Sequence, residues 1–416
     1  MKCRSCRGGL GDPVLDLGFA PPSNQYLSGV QLNEPETYLP LRVRFCNECS
    51  LLQLEDYFVP ERLFMPDYAY RSGASRLWLE HVAALAASVA PRFGLSTGSL
   101  VIEIGCNDGA LLRHFADLGI NSLGIEPAEE AAEVARTQGL DVVADFFSER
   151  MATEFKGRGI TADLVVATNV FAHVPDINNF AAGLSAILKP EGVIVLEFPH
   201  VYNLLQHGQI DTIYHEHYSY LSLTSAQHVL RNAGLDVFDV EEVPTHGGSL
   251  RVFACQRGSR PPSTRVSALL RSEANAGLGE QQTYAQLQPV AQRIKNDLLR
   301  FLLDAKREGK RVAAYGAAAK GNTLLNFAGV KPDLLPVVFD AAQSKQGMYL
   351  PGSHIPIRPS SSIEAGAWDC MLILPWNIAE EVIEQLGRTL GDDVEFLVAV
   401  PELKISSGET GPRRLS

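Results

Sequence analysis

The chain has 416 residues, 46% of them hydrophobic and 20% charged, with a formal net charge of −12 at pH 7. That is a soluble globular composition with room for two or three domains at roughly 150 residues each. The acidic balance argues against nucleic-acid binding, because phosphate backbones are held largely by basic surface. No window approaches the roughly 18 uninterrupted apolar residues of a membrane helix, so no membrane partner is expected. Met1-Lys-Cys-Arg-Ser-Cys6 lacks the apolar stretch of a secretory signal. Seven cysteines, an odd number, do not suggest a disulfide framework. A reducing cytoplasm is the expected compartment.

Residues 1–65 are rich in turn residues and hold two C-x-x-C pairs, Cys3/Cys6 and Cys46/Cys49. Each pair can present two thiolates from a tight turn, and four thiolates complete a tetrahedral Zn2+ site with no open position. The expectation is a small module stapled by structural zinc, since so short a segment struggles to build a stable core. Free or redox-active thiols are the competing reading.

Residues 66–258 alternate helix and strand. W78 to A90 has helical apolar spacing. S99-L-V-I-E-I-G105 is a buried-type strand running into C106-N-D-G109 and a helix from A110 to A116. S122 to E126 reads as a second strand, followed by a helix over 128–137. Strands are predicted at 141–145, 163–168 and 192–198, and at 250–255 as an edge strand. Alternation of this kind implies parallel strands joined by crossovers in an open doubly wound sheet. The turn at Gly105, Asn107 and Gly109 lies at the carboxyl end of the first strand, where such sheets bind ligands. A dinucleotide fingerprint would require glycines where Asn107 and Ala110 stand. The pattern is compatible with S-adenosyl-L-methionine, which has no pyrophosphate to cradle. Glu126, about 20 residues on, can accept both ribose hydroxyls, and Asp145 with Phe146 can hold the adenine. Taken singly, each of these residues also fits a surface turn.

Residues 213–220 read I-Y-H-E-H-Y-S-Y, placing two of the chain's 10 histidines beside one glutamate. His217 is the candidate base, since neutral imidazole titrates near working pH. Glu216 can orient an imidazole or contact substrate, and Tyr214 can hydrogen-bond a keto oxygen or a diphosphate. A metal site, buried structural histidines and plain tyrosine packing compete with that reading. His207 and His228 are taken as structural.

Residues 256–275 read as a linker leading into a helix, and 280–405 as a second, smaller α/β domain. Its strands are expected at 311–315, 335–340, 369–374 and 394–400, after an amphipathic segment over 284–309. The last dozen residues read as frayed. G316-A-A-A-K-G321 is a weak variant of a dinucleotide turn, with Asp340 after the next strand. Lys320 at a helix start can instead hold a diphosphate. Ser249 and Arg251 in H246-G-G-S-L-R251 are further substrate-binding candidates, although Arg251 equally fits a salt-bridged strand residue.

The C-x-x-C pairs, V101-I-E-I-G-C-N-D-G109, the Y-H-E-H run, Y315-G-A-A-A-K-G-N322, G18-F-A-P-P-S-N24 and T245-H-G-G-S-L-R251 occur in the order found in sugar-nucleotide C-methyltransferases. The chain resembles that family over essentially its whole length. The resemblance implies an α/β architecture of three parts: an amino-terminal zinc module, a Rossmann-like methyl-donor domain, and a carboxyl-terminal Rossmann-like domain contributing to sugar-nucleotide binding. It implies methylation of a thymidine-diphosphate-linked 4-keto-6-deoxysugar in deoxysugar and antibiotic biosynthesis, at carbon 3 in many members and carbon 5 in others. It also places Tyr68, in P66-D-Y-A-Y70, and His173, in N169-V-F-A-H173, in the active site with Tyr214, Glu216 and His217. Asn169 is assigned to the donor site and Asn322 to the substrate site. The rival readings are an NAD(P)-dependent sugar-nucleotide oxidoreductase and a non-catalytic zinc scaffold or RNA-modifying subunit.

Overall fold

The computed structural model describes residues 1–55, 73, 75–391, 393–407 and 410–414. The chain divides into two compact units. One comprises Met1–Gly11, Phe45–Tyr202 and Tyr218–Gln281, the other Asp12–Arg44, Asn203–His217 and Gln282–Ser416. Among the described residues no helix is long and apolar enough to cross a membrane.

The first unit is built on seven strands: β1 Leu100–Ile104, β2 Asn121–Ile125, β3 Val142–Val143, β4 Ala162–Thr168, β5 Leu188–Pro199, β6 Leu235–Val243 and β7 Ser249–Gln256. Their order is β6-β7-β5-β4-β1-β2-β3. The β7 strand runs antiparallel to both neighbours, while β5, β4, β1, β2 and β3 pair in parallel. The expected edge strand at 250–255 is therefore interior, hydrogen-bonded on both sides, and the edge belongs to β6. The sequence of β6, L-D-V-F-D-V-E-E-V, hides the strand behind interleaved acids. Arg92 and Arg265 pair with Asp239 and neutralise one of them.

Alternate residues of these strands build two cores. Ile102, Val165 and Ile194 face helices Ile177–Ile187 and Leu223–Asn232, whereas Val101, Leu164 and Val193 face helices Arg76–Arg92 and Ala110–Asp117. Both faces being covered explains why the parallel strands read as continuous apolar runs. The sheet order reverses between β1 and β4, which puts a crevice beyond their carboxyl ends.

The second unit holds β8 Val312–Tyr315, β9 Val338–Asp340, β10 Ile357–Pro359, β11 Cys370–Ile373, β12 Glu395–Val398, β13 Lys404–Ser407 and β14 Thr410–Arg414. Their order is β10-β9-β8-β11-β12-β13-β14, parallel through β12 and then antiparallel. Residues at the carboxyl end, read as frayed, thus pair as a ladder. Helix Ala379–Leu390 covers one face with Val382, Leu386 and Leu390. Residues 12–44 belong to this unit. Leu15–Ala20 pairs antiparallel with the segment around Val43, Asp16 N donates to Gln288 Oε1 at 2.8 Å, and Leu27 N donates to the Tyr349 carbonyl at 2.9 Å.

Candidate active site

The four cysteines of the C-x-x-C pairs converge. The Sγ atoms of Cys3, Cys6, Cys46 and Cys49 all lie within 4.8 Å of one another, with Cys3–Cys49 at 3.6 Å and Cys6–Cys46 at 3.4 Å. Tetrahedral zinc–thiolate bonds of about 2.3 Å require sulfur separations of about 3.8 Å, so the cage fits Zn2+. Each pair sits in a turn closed by a left-handed residue, Arg7 (φ 64°) or Ser50 (φ 57°), and Gln53 Nε2 donates to Cys3 Sγ at 3.1 Å. Four thiolates leave no position for substrate, which makes the metal structural.

The candidate donor turn lies at the carboxyl end of β1. Gly105 (φ 69°) and Gly109 (φ 82°) take left-handed conformations, and a Cβ at either would come within 2.4 Å of Val170 Cγ2 or Leu140 Cδ1 respectively. Glycine is therefore required at both by conformation and by space. Glu126, just past β2, is buried. Its carboxylate accepts from Asn107 N and Ala128 N, each at 2.9 Å. A carboxylate offers about four lone-pair positions, and these two amides fix its orientation at the turn.

Asp108 Oδ1 and Asn169 Oδ1 are buried with no hydrogen-bond partner among the described residues, and they stand beyond adjacent strands β1 and β4. Three acceptors at the switch point suit a ligand rich in donors and positive charge, as S-adenosylmethionine is with its ammonium group and ribose hydroxyls. Asp108 was not singled out from the sequence, although it stands inside the quoted C-N-D-G turn. Beneath this turn, burial, with the Glu126 carboxylate beside it, holds the Glu103 carboxyl well above the usual range. Asp145, exposed past β3, accepts from Phe146 N at 2.7 Å. His173 ends a short helical turn, Phe171–His173, beyond β4. Tyr68 lies outside the described residues.

In the second unit, Tyr214 Oη lies 2.8 Å from His217 Nε2, and His217 Nδ1 lies 2.7 Å from the Thr212 carbonyl. A carbonyl can only accept, so the neutral ring carries its proton on Nδ1 and presents the Nε2 lone pair to the tyrosine hydroxyl. Residues 214–217 form a turn rather than an extended strand, with His217 N donating to the Tyr214 carbonyl at 2.9 Å. Glu216 is 1% exposed and accepts from Asn24 Nδ2 at 3.2 Å, and burial pushes its carboxyl up to about 7. His215 is also buried, and the same desolvation pulls its imidazolium down to about 4.

The remaining candidates are engaged within the protein. Ser249 Oγ donates to the Thr245 carbonyl at 2.9 Å. Arg251 pairs with Glu197 (3.0 Å) and Glu241 (3.3 Å), and Glu197 also meets His81 Nε2 at 2.7 Å. The salt-bridged alternative for Arg251 is thus the observed one. Asn322 is fully buried, donating to the Ser23 carbonyl at 3.4 Å and accepting from Asn326 at 3.1 Å, which makes it a brace.

Lys320 is half-buried, with Nζ 3.2 Å from Asn377 Oδ1 and 4.6 Å from the centre of the Trp376 ring. Asp340 does not present a carboxylate to a ribose. Its two oxygens accept from Ala317 N and Ala342 N at 2.7 Å each, closing the turn that a dinucleotide would use.

Comparison with known proteins supplies the family. One family model, described as a methyltransferase domain, matches residues 70–240, and one described as a C-methyltransferase C-terminal domain matches 244–401. A third, described as zinc binding, matches 3–64. The C-methyltransferase NovU of Streptomyces niveus is 33% identical over 413 residues, covering 98% of this chain and 97% of the relative. A ubiquinone biosynthesis O-methyltransferase of Bordetella avium is 32% identical over 138 residues, covering 32% of this chain and 52% of that protein. The structure of magnesium protoporphyrin IX methyltransferase from Synechocystis PCC 6803 aligns to 43% of this chain and 79% of its own, at 16% identity and a TM-score of 0.34, too distant to carry an argument. The full-length match to NovU decides the matter: the chain belongs to the C-methyltransferase family and is an S-adenosylmethionine-dependent enzyme with a zinc-binding amino-terminal module.

Proposed function

We propose that this enzyme methylates carbon 3 of a thymidine-diphosphate-linked 4-keto-6-deoxysugar, by way of an enolate, in deoxysugar biosynthesis. One observation carries the reading: the hydrogen-bonded series Tyr214–His217–Thr212, in which a backbone carbonyl holds the Nδ1 proton of a buried imidazole and turns Nε2 to the tyrosine hydroxyl. Carbon becomes nucleophilic beside a ketone once a base removes its proton and the developing oxyanion is stabilised. His217 supplies the base, taking the proton at Nε2 through the Tyr214 hydroxyl, which passes its own proton to the imidazole as it receives the one from carbon. Glu216, at about 7, is in part a neutral acid near neutral pH, able to donate to the enolate oxygen. Held by Glu126, Asp108, Asn169 and the Gly105–Gly109 turn, with Asp145 and Phe146 toward the adenine, S-adenosylmethionine supplies an electrophilic methyl group.

Lys320 is assigned to the substrate's diphosphate, a local positive charge on a chain of net charge −12. Asn322 serves that site by bracing the helix that carries Lys320, Ser249 and Arg251 brace the strands of the first unit, and His173 and Tyr68 are assigned to the substrate's reacting end. The reading is tested by incubating keto-sugar nucleotides with the donor and locating the added carbon by mass spectrometry and NMR. The expected product carries its new methyl on carbon 3. A methyl on oxygen or nitrogen would sink the enolate mechanism, and one on carbon 5 would move the reactive position.

A further inference from the structure

Asp211 is a buried acid that this mechanism leaves unused. It sits in the short helical turn Ile210–Thr212, is 1% exposed, and accepts from Trp376 Nε1 through Oδ2 at 2.7 Å, while its Oδ1 is buried with no hydrogen-bond partner among the described residues. Trp376 follows β11, and its ring face carries the Lys320 ammonium at 4.6 Å. Lys320 follows β8, in the first turn of helix Ala319–Ala328. The order of this sheet reverses between β8 and β11, so Asp211 lies against residues from both sides of the second unit's switch point. In open α/β sheets that crevice takes an external ligand. Here the chain's own turn supplies the carboxylate, seated by an indole N–H and drawn by a nearby cation.

The next residue in the turn, Thr212, carries the carbonyl that holds the proton on His217 Nδ1. The turn closes on itself as well, with Thr212 Oγ1 donating to the Gln209 carbonyl at 2.7 Å. We infer that Asp211 is a positioning residue: anchored by the Trp376 N–H, it fixes the Thr212 carbonyl and thereby keeps His217 in the tautomer whose Nε2 is basic. The inference rests on the proposed role of His217 as base. Burial lifts the Asp211 carboxyl up to about 6, while Lys320 favours its charged form, as do the Asp211 and Thr212 amides. It is therefore an anion at neutral pH, the form the anchor needs.

The test is Asp211→Asn in the full-length enzyme, which keeps an oxygen for the Trp376 N–H and removes the charge. The expected result is a loss of kcat of about 10²-fold, with KM for both substrates within about twofold of wild type. The 15N signals of His217, assigned by their absence in His217→Gln, should move from the Nδ1–H pattern toward a tautomer mixture. Should Asp211→Asn fail to fold, Trp376→Phe removes the anchoring N–H while keeping an aromatic face for Lys320, and should shift kcat and the tautomer in the same direction, kcat by about tenfold. Wild-type kcat with an unchanged His217 tautomer overturns the inference, as does a raised KM with kcat intact, which would mark a role in binding. Full turnover in His217→Gln would instead refute the base reading, whatever the Asp211 variants do.

Discussion

Burial acts in opposite directions on two chain neighbours, pulling the His215 imidazolium down to about 4 and lifting the Glu216 carboxyl up to about 7. Between pH 4 and His215's ordinary 6.5, the folded protein holds fewer protons on that residue than the unfolded chain does. Stability from His215 therefore rises with pH across that window. Glu216 does the reverse between its ordinary 4.5 and about 7, where the folded protein holds more protons and stability falls as pH rises. Each shift corresponds to about 3 kcal/mol, and over their shared window the two nearly cancel. Removing one should expose the other. Relative to wild type, Glu216→Gln should gain about 3 kcal/mol as pH rises from 4.5 to 7, and His215→Asn should lose a similar amount relative to wild type as pH rises from 4 to 6.5. Urea unfolding at a series of pH values checks both, and two variants that track wild type throughout would remove the argument. His217→Gln should bind S-adenosylmethionine with wild-type affinity by calorimetry, yet lose at least about 10²-fold in kcat. Near-normal turnover would return the imidazole to a structural role.

At the scale of elements, the candidate site rests on short local patterns. Two C-x-x-C turns, a glycine turn after a buried strand and an i, i+3 tyrosine–histidine pair are each contiguous in the chain, so their chemistry can be read before folding is known. The zinc turns permit a direct test. Cys46→Ser leaves three thiolates, and because metal binding is coupled to folding the variant should lose its zinc and melt at least about 5 °C lower. Metal analysis and calorimetry measure both, and a zinc-free variant with the native melting temperature would contradict the structural assignment. β6 escaped notice because its acids mask the apolar alternation. Residues 250–255 were misplaced at the edge for the same reason, since without β6 nothing in the sequence supplies their second partner.

For the molecule as a whole, unit boundaries do not follow the linear domains expected at 1–65, 66–258 and 280–405. The first unit runs on to Gln281, because helix Thr264–Asn275 brings Glu273 into it. That carboxylate is 1% exposed. It meets His200 Nε2 at 2.8 Å and accepts from Leu223 N (2.6 Å) and Thr224 N (2.9 Å), capping helix Leu223–Asn232. Removing it leaves two helix-end amides without their acceptor, each worth about 1–3 kcal/mol when buried, so Glu273→Ala should lower stability by about 2–5 kcal/mol in urea unfolding. A loss below about 1 kcal/mol would show that the helix is peripheral.

The fold class and the zinc cage were determined by the sequence by itself, since the first depends on an alternation that only two covered sheet faces produce and the second on residues paired closely along the chain. Tertiary structure alone decided that Asn24 meets Glu216, that Trp376 anchors Asp211, and that Asp340 closes its own turn. Those partners stand up to 192 residues apart or depend on a local backbone path. No spacing rule reaches across such separations, because what joins them is the burial of polar groups that must find partners wherever the packed chain happens to bring one.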